Sequence, residues 1–127
     1  MTGPASPPDP RPRVVTGPGG ARVAGWRCSA CRYPVALPGP WCPRCRAELV
    51  AEEFGPGGVV WSATVLRVPL PDRRPPTALA YVDLDDGPRV LAHVGGSSER
   101  RLSAGTRVRG IGLGPQGDLL VEAEVRS

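Results

Sequence analysis

The sequence predicts a mostly β protein: a small cysteine-bound ribbon, then a five-stranded β-barrel, behind a disordered N-terminal tail. Three observations carry this. All four cysteines fall in two C-x-x-C pairs, Cys28–Cys31 and Cys42–Cys45, separated by ten residues. From Val59 onward, apolar and polar residues alternate with period two in short runs. The first twenty residues hold six prolines and four glycines, with Val14 and Val15 their only sizeable apolar groups.

Residues 1–20 have too little to bury to offset their ordering entropy, so they read as a tail. The rest of the 127-residue chain, roughly a hundred residues, suits one small domain beside a stapled module. Residues 21–54 form that module. A C-x-x-C turn lets two thiolates converge on one ion, and a second such turn completes a four-sulfur tetrahedral site. Cys28, Cys31, Cys42 and Cys45 are therefore the predicted ligands of one Zn2+. Four sulfurs leave no position for water or substrate, so the ion is structural. Iron in a rubredoxin-like site is the alternative metal, and disulfides are the alternative in a secreted chain. Between the pairs, Tyr33-Pro34 and Pro38-Gly39-Pro40 exclude a helix. Trp26 and Trp41 flank the two turns and are expected to cover them, with an exposed docking patch including Trp61 as the alternative. Glu48 to Phe54 reads as a linker or short strand, broken by Gly55-Pro56-Gly57-Gly58.

Residues 55–127 make the barrel. The predicted strands are Val59–Val68, Thr77–Asp85, Arg89–Val94, Thr106–Leu113 and Asp118–Val125. Asp86-Gly87-Pro88 turns the second into the third as a hairpin. In the last strand Leu119, Val121, Ala123 and Val125 share one face, opposite Leu120, Glu122 and Glu124. An open sheet this small would expose its edges, so closure is expected. An OB-fold has five strands and fits, with an SH3-like barrel as its competitor.

The formal charge is +4, and a zinc tetrathiolate lowers the holo-protein to roughly +2. All sixteen basic residues are arginine, a bias that matches the wealth of Gly, Pro and Ala. Such a mild balance does not argue for nucleic acid. No apolar run approaches the roughly 18–20 residues of a membrane span, and no signal-peptide core follows Met1. A cytoplasmic protein without a membrane partner is expected.

No catalytic constellation emerges. His93 lies on a strand without a nearby nucleophile, and Asp83, Asp85 and Asp86 end a strand before a turn. The serines lack a G-x-S-x-G setting, and the glycine runs lack the strand-to-helix context of a phosphate loop. Arg73, Arg74, Arg100 and Arg101 lie in loops where guanidinium forks suit the phosphates of CoA, although solvated loop charges have the same appearance.

From Trp26 to the C-terminus the chain resembles the DUF35-type proteins, in which a rubredoxin-like zinc ribbon precedes an OB-fold. The resemblance rests on WRCSACRYPVALPGPWCPRC, the GPGGVVWSATVLRVP barrel entry, the PTALAYVDLDDGPRVLAHV hairpin and the LSAGTRVRG strand start. It implies a non-catalytic accessory subunit of a thiolase-fold enzyme, such as a thiolase, a lipid-transfer-protein-like aldolase or an HMG-CoA-synthase-like enzyme. It also implies a role in binding or passing on acyl-CoA, and in some members a hydratase-like partner. The chain departs from the family in its tail, which replaces N-terminal helices, in Arg32 at a usual glycine, and in Thr77 after Pro76. The alternative function is a single-stranded nucleic-acid-binding module. Against it, the second and third barrel strands offer only Tyr81 and His93 for stacking, among three aspartates.

Overall fold

A computed structural model describes residues 12–69, 76–96, 101–115 and 117–124. Among these the chain is all β: β1 (Arg13–Gly17), β2 (Gly20–Cys28), β3 (Pro34–Val35), β4 (Leu49–Phe54), β5 (Gly57–Leu66), β6 (Thr77–Leu84), β7 (Arg89–Val94), β8 (Arg107–Leu113) and β9 (Leu119–Ala123).

The second half is the closed OB-type barrel. Its strands run β5-β6-β7-β9-β8 and return to β5. All neighbours are antiparallel except β7 and β9, which pair in parallel through Ala92↔Leu119, His93↔Leu120 and Val94↔Val121. Alternation decides which side chains enter. On β6 Ala78, Ala80, Val82 and Leu84 point inward, and on β9 Leu119 and Val121 do the same. Ala123, grouped with them by alternation, is exposed.

The expectation of a disordered tail through residue 20 is corrected. Residues 1–11 lie outside the described residues, but Arg13–Gly17 pairs antiparallel with Gly20–Ala24. The glycines and proline that suggest disorder instead make the turn of this hairpin, where Gly20 holds φ +123°. Val14 opposite Val23 supplies its apolar pair, and Val14 packs on the core.

The ribbon and the barrel share that core. β2 lies between β4 on one side and β1 followed by β3 on the other. Its buried phase is Ala21, Val23, Gly25 and Arg27. Ala21, Val23 and Phe54 belong to one apolar cluster with Val60, Val82, Val108 and Val121 of the barrel. Arg22 Nη1 donates to the Gly55 carbonyl at 2.9 Å, and Arg109 donates to the Gly19 carbonyl. Glycines at Gly20 and Gly110 let the backbones of β2 and β8 approach closely along this seam.

Candidate metal centre

Two turns of the same design present the sulfurs. In the first, the Arg32 N–H donates to the Cys28 carbonyl at 3.1 Å, and the Cys28 N–H to the Tyr33 carbonyl at 2.9 Å. In the second, Arg46 N–H donates to Cys42 at 2.9 Å and Cys42 N–H to Ala47 at 2.8 Å. Arg32 and Arg46 close their turns with the same left-handed φ of 66°. That backbone explains why glycine suits the position, and arginine occupies it here at a steric cost.

The four Sγ atoms lie within 4.8 Å of one another. Cys28 and Cys45 are 3.3 Å apart, and Cys31 and Cys42 are 3.7 Å apart. A tetrahedral site with metal–sulfur bonds of about 2.3 Å has edges of about 3.8 Å, so the cluster has the size of a metal cage. All four thiols are free, and their separations far exceed the ~2.05 Å of a disulfide. Each turn contributes one buried sulfur, Cys28 or Cys42, and one exposed one, Cys31 or Cys45. The four predicted ligands therefore come together as a soft donor set able to hold one metal ion.

The electrostatics separate these sulfurs. The N–H of Cys31, joined by that of Ala30, draws the Cys28 thiol down to about 6 against the effect of burial. At Cys42, burial is outweighed by the N–H groups of Cys45 and Arg44, and the thiol is again more acidic than usual. Cys31 accepts from Tyr33, yet burial and the three neighbouring thiols push it up to about 11. Close thiolates repel one another, and a bound dication removes that conflict.

Arg27, adjacent to Cys28, braces the site from beneath. Its Nε and Nη2 lie 2.8 and 2.7 Å from Glu52 Oε2, and they hold the Glu52 carboxyl below its ordinary 4.5. The stability Glu52 contributes is full above that ordinary value and is lost as pH falls through the lower folded one. Glu52→Gln is accordingly expected to flatten the acid limb of the urea midpoint below about pH 4.5. An acid limb as steep as wild type would refute the assignment.

The other candidates separate. Arg73, Arg74 and Arg100 lie outside the described residues. Arg101 is exposed and lines a mostly polar groove of about 380 Å³ with Trp61, Ser62, Ala63 and Ser103. Ser62 and Ala63 also line a second groove of about 260 Å³, overwhelmingly apolar, with Thr64, Leu79, Tyr81 and Leu91. A bulge between Val60 and Ser62 creates this face, because it turns Trp61 and Ser62 outward together. Trp61 stacks edge-on against Tyr81 with centroids 6.1 Å apart. The Arg89 guanidinium lies 3.8 Å from the Trp61 ring centre and is held by Asp83 at 2.6 Å.

Trp41 does not cover its turn: it is 52% exposed, whereas Trp26 on β2 is half-buried. The aspartates read as turn residues have partners, Asp83 with Arg89 across the β6–β7 ladder and Asp85 with Arg107 at 2.7 Å. His93 Nδ1 meets the carboxylate of buried Asp118. Alternation within one strand could not reveal that contact, since it joins β7 to the β8–β9 turn. Arg27 escaped the sequence reading, because its inward phase on β2 and its acceptors emerge only in the structure.

Residues 51–111 match the family model of the C-terminal OB-fold domain of ChsH2. A chain of the solved "Ltp2-ChsH2(DUF35) aldolase" is similar at 28% identity and a TM-score of 0.69, over 82% of this chain and 86% of that one. No curated protein matches in sequence. With a four-cysteine cluster running directly into a ChsH2-type barrel, this chain is similar to DUF35 proteins across both of its parts.

Proposed function

We propose that this chain is a non-catalytic, zinc-binding accessory subunit of the cytoplasm that docks on a thiolase-fold enzyme and helps bind or pass on its acyl-CoA. The observation that carries the reading is the similarity, across both ribbon and barrel, to a DUF35 chain solved as part of an Ltp2-ChsH2 aldolase. Zinc is assigned on the donor set of four thiolates, which closes the coordination sphere and leaves the ion a structural part. The same reading admits a hydratase-like subunit as a further partner.

The outer barrel face supports the acyl-CoA part of the reading. Its apolar groove suits an acyl chain, and the neighbouring polar groove ends at Arg101, a cation suited to phosphate. Arg89 already occupies one face of Trp61, and Asp83 sits beside it, which disfavours base stacking and the nucleic-acid alternative.

Co-expression with a thiolase-fold subunit is expected to yield a stoichiometric complex with one zinc per chain. Acyl-CoA affinity should rise with chain length, by up to about fourfold per buried methylene, and Leu91→Asp should flatten that rise. A chain that elutes alone from every such co-expression, or that binds single-stranded DNA at micromolar level with steep salt dependence, would overturn the proposal.

A further inference from the structure

Arg27 is the one buried arginine among the described residues, and its guanidinium joins three segments. Besides Glu52 on β4, Nη1 donates to the Arg32 carbonyl at 2.9 Å, at the close of the first cysteine turn. Nη2 donates to the Asp86 carbonyl at 2.5 Å in the turn between β6 and β7, with Asp86 Oδ2 at 3.4 Å. The Phe54 ring lies 5.2 Å below.

Two of these acceptors share an unusual backbone. Arg32 and Asp86, at φ 66° and 49°, are two of the three non-glycine residues in the left-handed region among the described residues. Such conformations persist where the surroundings hold them. One buried cation holds both, and one of the two lies in the cysteine turn while the other lies in the barrel.

We infer that Arg27 couples metal occupancy of the four-cysteine site to the conformation of the β6–β7 turn. Bonds from Cys28 and Cys31 to one ion fix the turn that ends at Arg32. Without them nothing bridges the four sulfurs, the turn loosens and its carbonyl leaves Nη1. A buried guanidinium that loses an acceptor carries a desolvation penalty, so it reorients toward Glu52 or water and withdraws from Asp86. The β6–β7 turn then relaxes from its left-handed residue. The coupling is reciprocal: a change at Asp86 that loosens the turn weakens metal binding, by at most the factor that metal alters the turn. The inference depends on neither the partner enzyme nor acyl-CoA.

The test is amide exchange on the full chain, zinc-loaded and chelator-treated. The reporting amides are Leu84, which donates to Pro88, and Gly87, which donates to Leu84. Gly95 and Gly114, bonded to Val121 and Asp118, are the distant controls. Chelation is expected to speed exchange about tenfold at the turn and less than about twofold at the controls, within the usual range of such couplings. In Arg27→Met the turn exchanges fast with zinc bound and does not respond to chelation. Asp86→Ala removes an exposed side chain that touches no cysteine, and it should weaken zinc retention about fivefold in competition with a chromophoric chelator. Turn amides that ignore chelation, exchange that rises uniformly through the barrel, or unchanged zinc retention in Asp86→Ala would each overturn the coupling.

Discussion

Cys42→Ala is expected to bind no metal and to leave residues 29–48 unfolded while the barrel survives. Between Cys28 and Phe54, Cys42 is the only fully buried apolar side chain, so residues 29–48 have little to bury apart from their sulfurs. The Cys42 Sγ also accepts the Arg44 N–H at 3.3 Å, which organises the second turn. Structural zinc sites contribute on the order of 10 kcal/mol to folding, far more than a segment this poor in apolar contacts can replace. The barrel keeps its own cluster around Val60, Val82, Val108 and Val121. Metal analysis together with an amide NMR spectrum checks this directly. One retained metal per chain, or dispersed signals throughout 29–48, contradicts it.

The second large effect is expected from Gly110→Ala. A Cβ on Gly110 would lie 2.3 Å from the Ala21 carbonyl oxygen and 3.2 Å from Leu119 Cδ1. Across the seam, a Cβ on Gly20 would lie 2.6 Å from the Gly110 carbonyl oxygen. The two carbonyl oxygens are backbone atoms of β2 and β8, and no rotamer change relieves contact with them. The Gly110 N–H, bonded to the Pro56 carbonyl at 2.7 Å, also ties the strand in place. Adding one methyl should therefore separate the ribbon sheet from the barrel and cost about 3 kcal/mol, the upper end for overpacking. That corresponds to a fall in Tm of roughly 15 °C for a domain near 100 residues. A methyl added at Gly112, on the same strand, would meet nothing within 4 Å, so Gly112→Ala is the matched control and should shift Tm by little. Equal melting of the two variants would rule out the seam as the cause.

What was legible in the sequence was whatever repeats at short range. The C-x-x-C spacing identified all four sulfurs, and the period-two runs located five barrel strands to within a few residues. The closed barrel follows from their number and from the need to protect edges. Composition misled at Thr16–Gly20, because a hairpin turn and a disordered segment draw on the same residues. Trp61 was legible as a candidate for an exposed patch with Trp26 and Trp41, but its actual neighbours on the barrel face were not, since one inserted residue at the bulge changes which side chains point outward. Arg27, Asp118 and the partner of His93 escaped for a different reason. Their partners lie in other strands or turns, and no local pattern encodes a contact between Arg27 and Asp86 across 59 residues.

The three tryptophans end up in three unlike settings, which makes the chain its own spectroscope. Trp61 lies against a guanidinium on the barrel, Trp41 projects into solvent directly before Cys42, and Trp26 is half-buried on the strand that joins the two. Variants that keep one indole at a time would give separate optical channels for the barrel face, the second cysteine turn and the strand between them. Events at either end of the protein could then be followed in real time with no added label.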